Sequence, residues 1–183
     1  MRRLVLYESK YGSTERYACW LSEALACARK RTSDMDPAEL MDVDTLILGG
    51  GLYATGIAGV GFLKKNVQAI QEKEVVVFAV GASPFDEEAL LEIRHRNLKG
   101  PLSTLPLFYC RGAWNEDLLT RKDRMMVGLL KAMVCQKDPA SYAPWEKALM
   151  GAVGTVCDWT DPKELRPLLQ TMGDRPTGDK DHR

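Results

Sequence analysis

The chain has 183 residues, 45% of them hydrophobic and 27% charged, which is the size and balance of one globular domain and excludes a chain too polar to fold. Its 25 Lys+Arg offset 25 Asp+Glu, so bulk charge gives it no hold on nucleic acid. Five cysteines without a C-x-x-C pair, and only two histidines, argue against a zinc site or a disulfide framework and for a reducing cytoplasm. The basic N-terminus runs into only four apolar residues, too few for a signal peptide or a membrane span, so the mature chain is expected to start at Met1.

The first element is LVLY at 4–7, continuous rather than alternating, as in a strand covered on both faces of a parallel sheet. A loop follows, and then a helix over 14–29, where Tyr17, Trp20, Leu21, Ala24, Leu25 and Ala28 recur at steps of three and four. The polar stretch after it leaves room for one short edge strand near 31–35. TLILGG at 45–50 is the next strand, and a helix over 59–70 carries Val60, Leu63, Val67 and Ile70 in register. VVVFAV at 75–80 is the fourth strand, and Asp86 caps a helix reaching residue 93. PLFYC at 106–110 is the fifth. Strand alternating with helix is the signature of an α/β fold with right-handed crossovers.

After the fifth strand the alternation fails. A helix over 120–134 is followed by a polar loop at 136–144 and then a closing helix, with Asp161 as cap and Pro162 at its first position. Pro167 predicts a kink or restart there. The reading is a single domain over 1–172 with an insertion at about 112–155. The tail 173–183 has no apolar residue to bury and is expected to be disordered.

The informative segment is the strand–loop–helix LVLYESKYGSTE at 4–15. Such a loop aims free backbone N–H groups and the positive end of a helix at one point, which suits an anion such as a phosphate. Neither G-x-x-x-x-G-K-[ST] nor G-x-G-x-x-G follows the first strand, so the ATP and dinucleotide fingerprints both fail. The stretch Ser9-Lys10-Tyr11-Gly12-Ser13-Thr14-Glu15 resembles the FMN-phosphate loop of flavodoxins, S-x-T-G-x-T followed by Glu, with Tyr11 at the usual threonine and Ser13 at the usual asparagine.

That resemblance implies a flavodoxin-like, doubly wound, five-stranded parallel sheet in the order 2-1-3-4-5, with FMN at the switch point between strands 1 and 3. Besides Ser9 to Thr14, the cofactor residues it implies are Gly51, Leu52, Tyr53, Ala54, Thr55 and Gly56 after strand 3, and Gly81, Ala82 and Ser83 after strand 4. Arg111 and Trp114 stand on the same edge after strand 5. Small residues let backbone approach a planar ring, Tyr53 can stack on it, and Gly56 is expected to give the turn its freedom.

Over roughly 4–172 the chain also resembles the flavodoxin-domain proteins related to the bacterial menaquinone-dependent protoporphyrinogen oxidase. The segments that carry this are YESKYGSTERYACWLSEAL, DTLILGGGLYATG, CDWTDPKEL and above all KDRMMVGLLKAM at 122–133. The resemblance implies an FMN oxidoreductase that takes two electrons from a reduced tetrapyrrole precursor and passes them to a quinone. The alternative is an electron carrier that needs only FMN and a docking face for a redox protein.

The helix over 120–134 has two readings. Met125, Met126, Leu129, Leu130 and Met133 share one face beside Arg121, Lys122, Arg124 and Lys131, which is either core packing with solvated cations or a basic amphipathic surface for an anionic membrane or a substrate. No arrangement of residues calls for a proton-transfer catalyst or a metal, since a flavin brings its own reactivity. His95 is expected at an exposed helix end. Residues 94–137 hold nine Lys+Arg against three Asp+Glu, which favours an anionic substrate or a contact with the inner membrane face over a plain acidic shuttle.

Overall fold

A computed structural model describes residues 2–173. Apart from Gly173, the tail expected to be disordered lies outside the described residues. In chain order the elements are strand β1 (Arg3–Glu8), helix α1 (Ser13–Ala24), β2 (Ala28–Arg31), β3 (Thr45–Tyr53), β4 (Gly56–Ile57), α2 (Val60–Lys65), α3 (Val67–Ile70), β5 (Glu74–Gly81), α4 (Glu87–Asn97) and β6 (Leu107–Arg111). Then come β7 (Ala113–Asn115), α5 (Arg121–Val134), α6 (Pro144–Ala152), β8 (Val156–Asp158) and α7 (Arg166–Thr171).

Five parallel strands pair in the order β2-β1-β3-β5-β6, which is the expected 2-1-3-4-5 once the short strand β4, antiparallel to β3, is set aside. Alternate residues of the central strands enter two separate cores. Leu4, Leu6, Leu46, Leu48, Val75 and Val77 pack against α2, α3 and α4. Val5, Ile47, Val76 and Phe78 pack against Tyr17, Ala18 and Leu21 of α1 and Leu168 and Leu169 of α7. Burial on both faces explains the unbroken apolar runs. Each such aliphatic side chain contributes roughly 1.5–3 kcal/mol.

Several boundaries differ from expectation. Helix α1 ends at Ala24 rather than residue 29, and Ala26 takes a left-handed φ of 48° to reverse the chain. The reversal sets Ala28 beside Leu4, so β2 lies at Ala28–Arg31 instead of near 31–35, which is occupied by a 3-10 turn. The single helix expected over 59–70 is two short ones, broken at Asn66, whose side-chain amide donates to the Phe62 carbonyl at 2.9 Å. Asp86 does cap α4, accepting from the Ala89 N–H at 2.9 Å, but the helix continues to Asn97.

In the closing segment Asp161 caps a 3-10 turn over Pro162–Leu165, and the helix restarts as α7 with Pro167 in its first turn. Pro167 there costs no hydrogen bond, because first-turn N–H groups have no intrahelical partner. Helix α6 and the antiparallel pair of β7 with β8 were not anticipated. The Pro144-Trp-Glu146 start of α6 was legible as a helix opening, with Glu146 accepting from the Ala143 N–H at 2.8 Å.

Core packing is the wrong reading for α5. Only Val134 of this helix is buried, while Met125, Leu129 and Met133 are 63%, 61% and 59% exposed. Among the described residues no helix is long and apolar enough to cross a membrane.

Candidate functional site

The register β1–β3–β5–β6 brings the carboxyl ends of these four strands to one edge: Glu8 pairs with Gly50, Gly51 with Val80, and Gly81 with Arg111. The loop between β1 and α1 turns on Gly12, whose φ of +93° favours glycine. Gly12 is the N-cap of α1 and supplies no side-chain cap to the first-turn N–H groups. Such a helix start attracts negative charge. Ser9 and Thr14 are buried around it, and the Gly12 N–H donates to Ser9 Oγ at 3.1 Å.

Below the loop, Glu15 accepts from the Tyr7 hydroxyl at 3.0 Å and pairs with Arg31 at 3.0 Å, while Arg31 also donates to the Ser9 carbonyl at 3.3 Å. This brace holds the only first-turn carboxylate of α1 away from the helix end. Ser13 Oγ accepts from the Ala113 N–H at 3.1 Å, tying the loop to β7.

Lys10 and Tyr11 reach the insertion. The Lys10 ammonium and the Tyr11 hydroxyl both bind the Asp123 carboxylate in the first turn of α5, and the Thr120 N–H donates to the Tyr11 hydroxyl at 3.3 Å. Lys10, then Tyr11, hold the Asp123 carboxyl below the usual carboxylate range, and Asp123 in turn raises Lys10. Tyr11 therefore points at α5 in this structure, which accounts for an aromatic phenol standing where a short threonine is usual.

Tyr53 folds back over its own strand. Its hydroxyl accepts from the Lys10 N–H at 3.0 Å and its ring meets Tyr11 edge-on at 6.0 Å; burial pushes its phenol upward. A Cβ on Gly51 would lie 2.6 Å from the Tyr53 hydroxyl, so only glycine permits this fold-back. The turn beyond it corrects an expectation: Ala54 and Thr55 take the left-handed φ values of 47° and 67°, and Gly56 does not. Gly56 instead pairs with Tyr53 across the β3–β4 hairpin, and Leu52 pairs with Ile57. Ala54, Thr55 and Gly56 are exposed. The turn is tied to α4 by Asn97, whose amide donates to the Thr55 carbonyl at 2.7 Å and accepts from the Ile57 N–H at 2.8 Å.

After β5, the Ala82 carbonyl accepts from Arg111 Nε at 3.2 Å and the Ser83 carbonyl accepts from the Tyr109 hydroxyl. A Cβ on Gly81 would sit 2.9 Å from the Tyr109 hydroxyl. The Arg111 guanidinium lies 4.1 Å over the Trp159 ring, and Ala82, Ser83 and Trp114 line one cavity. The structure thus makes one cluster of Lys10, Tyr11 and Tyr53, and a second of Ala82, Ser83, Arg111 and Trp114, while Ser13 binds the Ala113 N–H of β7. It leaves Thr55 and Gly56 at an outer turn. The reading of the sequence missed Asp123, Thr120, Asn97 and Trp159. Thr120 followed by Asp123 was legible as a helix start, but nothing local marks its partners.

Comparison with known proteins adds a family. The sequence profile described as "Flavodoxin domain" matches residues 4–141. No curated protein sequence matches. Among solved structures, an archaeal flavodoxin is similar at 13% identity and TM-score 0.46, covering 69% of this chain and 90% of its own. Two-electron reduced flavodoxin from Megasphaera elsdenii gives 16% and 0.47, covering 58% and 82%. A WrbA-like protein from Agrobacterium tumefaciens gives 20% and 0.41, covering 67% and 87%.

Proposed function

The chain belongs to the flavodoxin-domain family, and on that footing we propose that it binds FMN and acts as a flavin-dependent oxidoreductase. The observation that carries the proposal is the β1–α1 loop, where a left-handed Gly12 opens a twelve-residue helix with no side-chain cap, beside Ser9 and Thr14. Uncapped donors and buried hydroxyls are the chemistry a phosphate monoester needs. In this reading Ser9, Lys10, Tyr11, Gly12, Ser13 and Thr14 hold the phosphate end, with Tyr11 contributing backbone rather than its phenol. The segments from Gly51 to Gly56 and from Gly81 to Ser83, with Arg111 and Trp114, border the ring.

Bound FMN would supply two-electron chemistry that no side chain here offers. The chain's own part is to bind the phosphate, orient the ring by close backbone approach, and screen it from water with the insertion. A substrate-using enzyme is favoured over a plain electron carrier by α5 and α6, which wall a cavity beside Ala82 and Ser83 that a carrier would not need. The likeness of KDRMMVGLLKAM to the insertion of protoporphyrinogen oxidases suggests a reduced tetrapyrrole as donor and a quinone as acceptor. The exposed Met–Leu face of α5, beside exposed Arg121 and Lys122, suits contact with an anionic membrane surface where quinone resides.

The test is a double variant. Ser9→Ala with Thr14→Ala removes two hydroxyls from a charged ligand, each contributing about 1.5–3 kcal/mol, so FMN affinity should fall by roughly 10²-fold or more. Unchanged affinity would remove the loop from the site. Oxidation of protoporphyrinogen with a quinone acceptor would support the finer reading, and reduction only by a redox protein would favour the carrier.

A further inference from the structure

Between the Ala82–Ser83 turn and the insertion lies a cavity of about 110 Å³. Three of the chain's four tryptophans line it: Trp114 on β7, Trp145 on α6 and Trp159 after β8. No charged side chain is among its walls, which are completed by aliphatic residues of α5 and α6. Trp159 is held at both ends, with the Arg111 guanidinium 4.1 Å over its ring and its backbone N–H donating to the Gly112 carbonyl at 3.2 Å. Trp145, at the rim, is 41% exposed, so the cavity communicates with solvent.

We infer that this cavity is a binding site for an uncharged ligand carrying one planar aromatic ring. Its size decides the ligand's scale, because an apolar cavity of about 150 Å³ takes a benzene molecule, and 110 Å³ leaves space for one ring but not a fused system. Its chemistry decides the class. Indole faces reward offset or edge-on packing of another aromatic ring, and walls without ionic partners penalise a charged ligand. Ser83 is the one hydroxyl residue in the lining and can accept or donate to a single polar substituent on that ring. Any larger part of the ligand leaves past Trp145.

The cavity shares the Ala82–Ser83 wall with the loop assigned above to the flavin ring. Its role as the seat of a redox substrate therefore rests on the proposed function, whereas ring binding itself does not.

The probe is 4-fluorophenol, followed by fluorine NMR on the full-length protein with and without FMN. Saturable binding is expected, with cyclohexanol and 4-fluorobenzoate each at least tenfold weaker. Ala148→Phe, which places a ring in the cavity, should lose probe binding at least tenfold while FMN affinity is unchanged. Trp145→Ala, at the rim, should weaken the probe by a similar factor and guards against misfolding of the first variant. No saturable binding, equal binding of cyclohexanol, or probe binding unaltered in both variants would overturn the inference. Displacement of the probe by FMN would also overturn it, since the cavity would then be part of the cofactor site. Probe binding without any FMN binding would instead leave the ring site standing and remove the flavin reading.

Discussion

Tyr11 and Asp123 show how a single residue can be legible in kind and opaque in role. The pattern Ser9-x-Tyr11-Gly12-x-Thr14 marks a turn and a helix start from local chemistry alone, because helix starts and glycine turns are local objects. The partner of Tyr11 lies 112 residues away in sequence, and no periodicity connects them. Asp123 joins the loop to its own helix start, its carboxylate accepting from Lys10 and Tyr11 and its N–H donating to Thr120 Oγ1, so the loop and α5 should loosen together. Asp123→Asn removes the charge and should speed amide hydrogen exchange in the first turn of α5. Tyr11→Phe, which removes one bond, should do so less. Unchanged exchange in both would mean that the contact holds nothing in place.

Elements follow the same division. Runs such as VVVFAV read as strands because both faces of the sheet are covered, and the strand order came with the family resemblance. Boundaries were misread where a tertiary pairing overrides a helical period: Ala28 continues the apolar spacing of α1, yet pairing with Leu4 claims it for β2. The β3–β4 hairpin is the sharper case. The sequence places a glycine at position 56, but the strained backbone falls on Ala54 and Thr55, and Asn97 of α4 stabilises the turn. Asn97→Ala should cost about 1–3 kcal/mol in urea unfolding, because it strands the buried Ile57 N–H and frees the Thr55 carbonyl. Thr55→Gly should have the opposite sign, gaining up to about 1 kcal/mol by relieving a left-handed β-branched residue.

At the scale of the molecule, the sheet core was legible and the arrangement of the insertion was not. Nine of the twelve large hydrophobic residues left exposed among the described residues lie between Leu118 and Val156. A 3.6-residue period in α5 says only that one face is apolar; which partner covers it depends on α6, β7 and β8, whose signals are short and weak.

The insertion is also held by charge. Arg16 of α1 pairs with Asp158 of β8, and Arg16, then Thr160, lower the Asp158 carboxyl from 3.8 to about 2. A depressed folded value means that this stabilisation is complete above the ordinary pKa and fades as the pH falls from near 4 through about 2. The pair is half-exposed, so its contribution is about 1 kcal/mol or less. Asp158→Asn should melt below the wild type at pH 6 and converge with it only as the pH falls through about 2; a constant difference would show that the charge is not the cause.

Whether the β1–α1 loop holds the phosphate of a flavin is read from a titration of the purified chain with FMN and with riboflavin, followed by flavin fluorescence. The two ligands share a ring and differ only in the phosphate, so their ratio isolates the loop. One FMN per chain is expected, with an affinity at least about 10²-fold above that for riboflavin, the equivalent of two charge-assisted hydrogen bonds. No quenching by FMN, or equal affinity for the two flavins, would contradict it.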